Sequence, residues 1–151
     1  MNKFSQTLEQ KYPIHGPIGS KGEKDVNILF KKAGSKTVHH PRSFKHQVPG
    51  NDLEIDSIKV DVKTNIQPNG NFAIEVGGKG WLLSKTKKSP YIIHYNRFDE
   101  KTMIVYPRKD MQIFILTGLL NNTLRIVKDK KGNDLTWMSI KNLPDFVTIL
   151  N

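Results

Sequence analysis

The sequence predicts one domain of mixed α and β structure, and three observations lead to that prediction. The length of 151 residues suits a single hydrophobic core. Apolar residues recur at helical spacing in an early segment and alternate with polar residues through the middle of the chain. No internal repeat and no low-complexity stretch divides the sequence. A second domain is therefore not needed.

The N-terminal part is expected to consist of an arm followed by a helix. Prolines and glycines interrupt the segment 12–20, which favours a loop or a mobile arm over residues 1–20. Ser20 and Glu23 then have the spacing of a capping box, and apolar residues follow at helical spacing until a glycine stops the pattern. These signals predict a helix over about 21–33, at the start of a folded domain that spans 21–151.

The next element is the most informative part of the chain, an alternation of apolar and charged residues about a turn at Asp56-Ser57. Side chains alternate along a strand, so a hairpin here has one apolar face and one charged face. The apolar face comprises Leu53, Ile55, Ile58, Val60 and Val62, and the charged face comprises Asp52, Glu54, Lys59, Asp61 and Lys63. Folding about this turn sets Asp52 directly opposite Asp61. A slip of one residue would place them on opposite faces.

The opposed acids suggest a metal site. Carboxylates on directly paired residues, with Cβ atoms roughly 4.5–5.5 Å apart, destabilise a sheet unless something offsets their repulsion. A hard cation such as Mg²⁺ would do so, and it would leave positions for a phosphate oxygen and an attacking water. Lys63 shares this face and could orient the water or stabilise charge on a phosphate. The alternative interpretation is an ordinary solvated strand face with alternating charge.

The elements after the hairpin are predicted from local patterns. Asn69-Gly70 is a turn signal, and 71–76 alternates as a strand that places Glu75 on the polar side of the strand next to the hairpin. The segment 110–120 is apolar enough for a buried helix, although its Ile-Phe-Ile-Leu run would also suit a strand. The other predictions are strands at 37–40, 91–95 and 102–106, a late hairpin formed by 124–127 and 136–140, and a turn or short helix at 142–146.

The spacing of Asp52 and the triplet Asp61-Val62-Lys63 resembles the signature of the PD-(D/E)XK nuclease superfamily, whose fold many restriction enzymes, junction resolvases and phage nucleases share. The similarity continues through Glu75-Val76 and covers roughly 23–107. It includes Gly80-Trp81-Leu82-Leu83-Ser84-Lys85 and Ser89-Pro90-Tyr91-Ile92-Ile93-His94-Tyr95. One departure is that Pro49 does not directly precede Asp52, because two residues intervene.

The resemblance implies a restriction-endonuclease-like fold, in which a central mixed β-sheet is flanked by helices. It also implies that Asp52 and Asp61 bind Mg²⁺ or Mn²⁺ and that Lys63 is the catalytic lysine. In this superfamily an early helix contributes an acid to the metal site, and Glu23 is the candidate here. The alternative for Glu23 is a cap that only satisfies backbone N–H groups.

Two further acids follow from the resemblance. Glu75 is a candidate metal or water ligand, although an exposed strand glutamate is an equally good interpretation. Glu9, in the weaker helical segment 2–11, is the substitute for Glu23.

The charge of the chain favours a phosphate-bearing partner. The formal net charge is +10 and the sequence pI is near 9.8, which gives a general attraction to polyanions. Basic residues that flank the candidate site in sequence are expected to contact DNA: Arg42, Lys45, Lys79, Lys85, Lys87 and Lys88. A ribosome-associated or membrane-surface protein would show the same charge.

Several classes of protein find no support in the sequence. Without cysteines there are no disulfides or thiolate zinc sites. His39 and His40 are neighbours that point in opposite directions on a strand, which disfavours a shared metal ion. Walker, dinucleotide-binding and serine-hydrolase motifs are absent. No apolar run approaches the roughly 20 residues of a membrane span, so we expect no membrane association and a cytoplasmic protein, in the host cytoplasm if phage-encoded.

The sequence therefore predicts a metal-dependent DNA endonuclease that uses an activated water. Two alternatives from other classes remain: a noncatalytic nucleic-acid-binding protein on a nuclease-like fold, and a basic phage protein that inhibits a host protein. Phage origin is suggested only by the resemblance. Whether the DNA is duplex or branched, and whether the protein forms a homodimer, is left open.

Overall fold

A computed structural model of the protein describes residues 15–40, 52–77, 82 and 89–151. This part of the chain contains two helices and nine strands. In chain order they are α1 (His15–Lys32), β1 (Thr37–His39), β2 (Leu53–Ile55), β3 (Ile58–Lys63), β4 (Asn71–Glu75), β5 (Tyr91–Tyr95), β6 (Met103–Pro107), α2 (Arg108–Leu120), β7 (Val127–Lys128), β8 (Asp134–Ser139) and β9 (Thr148–Leu150).

Six strands form a mixed sheet in the order β1-β2-β3-β5-β6-β9. Strands β3 and β5 run parallel, and every other neighbouring pair in this sheet is antiparallel. The remaining strands form an antiparallel sheet in the order β4-β8-β7. The predicted α/β class with a mixed sheet is confirmed.

Helix α1 covers one face of the mixed sheet. Its residues Val26, Leu29 and Phe30 pack on a cluster of strand residues that includes Leu53, Ile55, Val60, Val62, Ile93, Tyr95 and Met103. The helix approaches the end of β3 closely at Gly22, where an added Cβ would lie 1.9 Å from Thr64 Oγ1. Position 22 requires glycine because any larger side chain would collide with Thr64.

The smaller sheet and α2 cover the other face. The core there combines residues of both sheets with residues of the helix, and its buried members are Ile66, Phe72, Ile74, Val76, Leu82, Ile92, Ile104, Tyr106, Met111, Ile115 and Met138. Alternation along β5 and β6 therefore places side chains of one sheet in two hydrophobic layers. Both faces of the central strands are covered.

Helix α1 begins at His15, so the predicted start near Lys21 is wrong, as is the prediction of an irregular arm for residues 15–20. Pro17 lies in the first turn, where backbone N–H groups have no intrahelical partner and proline is tolerated. Ser20 is inside the helix and buried. It therefore does not cap the helix, and the capping-box interpretation of Glu23 is wrong.

The predicted hairpin is confirmed in its register. Leu53 pairs with Val60, and Ile55 pairs with Ile58. The turn residues Asp56 and Ser57 have φ of 49° and 71°, as a two-residue hairpin turn of the favoured twist requires. Ile58 departs from the expected burial, at 45% exposed, because it lies beside the turn at the end of the hairpin.

Two features of the sheets differ from expectation. Strand β4 is not a neighbour of the hairpin, because it pairs with β8 in the smaller sheet. Strand β9 was not predicted, since three residues are too few for an alternating pattern, and it pairs with β6 at the edge of the mixed sheet. The late hairpin is confirmed as β7 and β8. The segment 110–120 is helical, as predicted, although Ile113, Leu116 and Leu120 are exposed on α2.

Candidate functional site

The hairpin register brings together the two acids that the sequence singled out. The backbone N–H of Asp52 donates to Val60 O at 3.1 Å, and the Val62 N–H donates to Asp52 Oδ2 at 2.7 Å. Both carboxyl groups are buried, with Asp52 2% and Asp61 1% exposed. They lie on the face opposite α1, because Val60 and Val62 occupy the face that the helix covers.

Burial gives the acid pair an unusual protonation state. Desolvation first, and then the charge of Asp61, raises the pKa of the Asp52 carboxyl to about 8. A hydrogen bond between the two carboxyl groups acts in the same direction, whereas the nearby charge of Lys63 lowers the pKa. We infer that near neutral pH the two carboxyl groups share one proton and carry one negative charge.

Lys63 joins this pair as predicted. Its Nζ lies 3.3 Å from Asp61 Oδ2, and its side chain is 23% exposed. Lys63 is therefore in contact with the buried acid pair and is itself more exposed to solvent than either acid.

Sequence reasoning missed a polar network on the neighbouring strands. His94 pairs with Lys63 across the parallel contact. Its Nδ1 lies 2.6 Å from Asn65 Oδ1, and its Nε2 lies 2.6 Å from the Tyr106 hydroxyl. The Asn65 amide orientation follows from its Nδ2, which donates to Ala73 O. Nδ1 of His94 is therefore the donor, and Nε2 accepts from Tyr106.

His94 is a neutral imidazole. Burial, followed by the charge of Lys63, lowers the pKa of His94 to about 3. The aromatic ring of Phe72 packs against it with 4.6 Å between ring centroids. The sequence contained one usable signal, since alternation along 91–95 puts His94 on one face, but which strand lies beside it depends on a long-range pairing.

Arg108 is the other residue that the sequence did not single out. It begins α2, is 6% exposed, and its Nη1 lies 3.5 Å from Leu82 O. Burial lowers the pKa of Arg108, while the negative charge of Asp61 raises it. Asp61 thus interacts electrostatically with two cations, Lys63 and Arg108.

Glu23 lies apart from the acid pair. It is buried on α1, and its Oε1 is 3.5 Å from His39 Nε2. His39 pairs with Leu53, which belongs to the face that α1 covers. Asp61 lies on the opposite face. This placement does not support a role for Glu23 as a metal ligand beside Asp52 and Asp61.

Glu75 also lies apart from the acid pair. It belongs to β4, where it pairs with Leu135. Phe72 and Ile74 point into the core beneath the mixed sheet, so alternation turns Glu75 toward the outer face of the smaller sheet. The expectation that Glu75 lies on a strand next to the hairpin is wrong.

The donor set fits a hard cation in part. Loss of the shared proton would leave two carboxylates, and carboxylate oxygens are the ligands that Mg²⁺ and Mn²⁺ prefer. Across residues 15–40, 52–77, 82 and 89–151, no group of three or more His, Asp or Glu side chains is placed to hold a metal ion. Two protein carboxylates with waters remain a common arrangement for Mg²⁺.

The predicted DNA contacts at Arg42, Lys45, Lys79, Lys85, Lys87 and Lys88 lie outside the described residues, as does Glu9. Within the described ranges, no helix is long and apolar enough to cross a membrane.

No protein-family model, curated protein or solved structure matches this chain. The interpretation of the site therefore rests on its residues and their geometry.

Proposed function

We propose that the protein is a metal-dependent nuclease with a restriction-endonuclease-like fold, and that it hydrolyses phosphodiester bonds of DNA. The observation that carries this proposal is the buried, register-paired Asp52 and Asp61 with Lys63 Nζ 3.3 Å from Asp61. Fold stability alone does not explain two acids at these positions, because opposed carboxylates destabilise a sheet. A mixed sheet flanked by helices agrees with the proposed fold.

Each residue has a defined part in the proposed reaction. Mg²⁺ or Mn²⁺, when bound, supplies an acidified water and polarises a phosphate oxygen. Asp52 and Asp61 would hold the ion once their shared proton has been released to solvent. Lys63 holds its positive charge beside the reacting phosphate, where it orients water or stabilises the charge that develops. The water oxygen bonds to phosphorus as the water gives one proton to solvent, and one P–O ester bond breaks as the leaving oxygen takes up a proton from solvent. The products are a phosphate monoester and a hydroxyl.

Two further features support a DNA substrate. The net charge of +10 favours binding of a polyanion. Arg108 is buried and places a second cation in the field of Asp61, so this part of the face holds positive charge beyond that of Lys63. Arg108 is a positioning residue in this proposal.

The test is cleavage of linear, nicked, branched and single-stranded DNA with Mg²⁺ or Mn²⁺. We expect cutting by the intact protein and a loss of at least 100-fold for Asp61→Asn and for Lys63→Met, in line with removal of a transition-state charge. Lys59→Met is the matched control, because Lys59 is an exposed lysine of the same strand that pairs with Glu54. It should keep full activity.

A second measurement separates the nuclease from its main alternative. Calorimetric titration with Mn²⁺ should show binding to the intact protein and weak or no binding to Asp61→Asn. Salt-sensitive DNA binding with no metal-dependent cutting, and no ion bound by the intact protein, would favour a noncatalytic nucleic-acid-binding protein.

A further inference from the structure

The smaller sheet carries a cleft of about 580 Å³, which we call the Trp137 cleft. Its lining residues are Gln67, Pro68, Asn69, Asn71 and Trp137. The volume falls in the range of small-ligand sites, roughly 300–1,000 Å³. Trp137 pairs with Ala73, whose neighbours Phe72 and Ile74 point into the core, so this cleft lies on the outer face and is separate from the acid pair.

Trp137 is a large apolar side chain that remains 46% exposed. Its cross-strand partner is Ala73, which is too small to cover an indole ring. The backbone beneath is held firmly, because β4 and β8 pair over five residues and Asn65 Nδ2 donates to Ala73 O at 2.9 Å. The indole is therefore an exposed aromatic surface on a strand whose backbone is held in place.

The wall of the cleft is a tight loop. The Gln67 N–H donates to Asn71 O at 2.8 Å, and the Gly70 N–H donates to Gln67 O at 2.9 Å. Asn69 Oδ1 accepts from the Asn71 N–H at 3.0 Å, and Gly70 takes φ of 87°. These bonds fix the backbone of the loop and the side chain of Asn69. The carboxamides of Gln67, Asn69 and Asn71 line the cleft with Trp137, where they offer both hydrogen-bond donors and acceptors.

The chemistry of this lining selects a flat, uncharged ligand with polar edges. Among the residues that the structure describes, the lining consists of one aromatic ring, one proline and three amides, with no charged side chain. A nucleobase has a face that stacks on indole and an edge of N–H and C=O groups that amides can bind. A base paired within a duplex presents neither its face nor its pairing edge.

We propose that the Trp137 cleft binds an unpaired nucleobase of a single-stranded segment of nucleic acid. The choice of DNA as that nucleic acid rests on the proposed nuclease function. Charge favours a nucleic acid over a neutral sugar, which also stacks on tryptophan, because the chain carries +10. The exposed Lys141 lies two residues after Ser139, which pairs with Asn71 of the cleft. Lys141 thus places a cation close in sequence to the edge of the cleft, where it could contact a phosphate attached to the bound base.

The experiment measures binding in EDTA, where no metal-dependent cleavage occurs. A labelled single-stranded oligodeoxynucleotide is titrated with the intact protein, Trp137→Ala and Trp137→Phe, and anisotropy reports the Kd. We expect Trp137→Ala to weaken binding by about 5- to 100-fold, as for loss of one stacked base. Trp137→Phe should keep most of the affinity, since it retains an aromatic face.

A second readout locates the base. The chain has two tryptophans, so Trp81→Phe leaves Trp137 as the sole indole, and its fluorescence should be quenched by the oligodeoxynucleotide. Unchanged single-strand binding by a folded Trp137→Ala would overturn the proposal, as would quenching by a neutral oligosaccharide and not by DNA. Because cleavage is not measured, failure of the nuclease proposal and failure of this one are distinguishable.

Discussion

At the scale of single residues, Asp52 links the site to the stability of the fold. Its carboxyl has a pKa of about 8 in the folded protein and an ordinary value near 3.8 when exposed. Between these values the unfolded chain loses the proton while the folded chain keeps it. The contribution of Asp52 to the free energy of unfolding therefore falls as pH rises from about 4 to about 8.

We predict that Asp52→Asn removes this dependence. Without divalent ions, the free energy of unfolding of the variant minus that of the parent should be larger at pH 8 than at pH 6.5 by about 1–2 kcal/mol, since one unit of pH corresponds to about 1.4 kcal/mol for one proton. Urea denaturation at pH 6.5 and pH 8 measures the difference. These values avoid the range below 6.5, where protonation of His94 in the unfolded chain opposes folding. An equal gap between variant and parent at both pH values would contradict the prediction.

The sequence predicted the residues whose relation is local. Asp52, Asp61 and Lys63 belong to one hairpin, so side-chain alternation and a two-residue turn place them together. His94 and Arg108 could not be placed in the same way. Their positions depend on the parallel pairing of β3 with β5, and no local pattern encodes which strand becomes a neighbour.

At the scale of elements, the closest packing joins α1 to the end of β3. Glycine inside a helix normally costs about 1 kcal/mol relative to alanine. Gly22 is an exception, because an added Cβ would lie 1.9 Å from Thr64 Oγ1 and 3.0 Å from Thr64 Cβ. The close approach of Thr64 therefore outweighs the higher helix propensity of alanine at position 22.

We predict that Gly22→Ala lowers the free energy of unfolding by about 1–3 kcal/mol, the usual range for overpacking. Thr64→Ala in the same chain should recover part of the loss, because it removes the nearest atom. Lys24→Ala, at an exposed position of the same helix, is the control and should change stability by less than about 0.5 kcal/mol. A Gly22→Ala protein more stable than the parent would show that α1 does not pack this closely.

The elements also show where local signals fail. The helix α1 extends six residues earlier than predicted because the first turn tolerates Pro17 and because tertiary packing outweighs the low helix propensity of glycine. Glu23 consequently occupies a buried position beside His39 instead of a cap. Strand β4 was predicted correctly as a strand, yet its sheet was not, since pairing with β8 joins residues at least sixty positions apart.

At the scale of the whole molecule, the mixed sheet supplies side chains to both hydrophobic layers. The α/β class followed from periodicity and length alone, whereas the division into two sheets did not, because periodicity does not identify strand partners. If one of the two layers unfolds, apolar residues on that face of the mixed sheet become exposed to water. The same strands also form the other layer, which is then destabilised. We therefore expect the described part of the chain to unfold as one unit.

We predict that Leu53→Ala, on the α1 side, and Ile115→Ala, on the α2 side, each lower the free energy of unfolding by about 2–5 kcal/mol. Both residues are fully buried. Far-UV circular dichroism and tryptophan fluorescence should give one coincident transition for each variant. Leu120→Ala is the control, because Leu120 is 85% exposed, and should change stability by less than about 0.5 kcal/mol. Separate transitions for the two layers would argue against a common unit.

The two-residue turn between β2 and β3 has a consequence for the order of folding. Hairpins of this kind form in about 1–10 μs, whereas pairing of β3 with β5 must close a loop of more than twenty residues and is slower. The acid pair is thus assembled while both carboxyl groups are still hydrated and ionised. Its burial comes later, with the parallel strand. Uptake of a proton, or of a cation in its place, accompanies that later step, so the negative charge of the acid pair decreases as the chain folds.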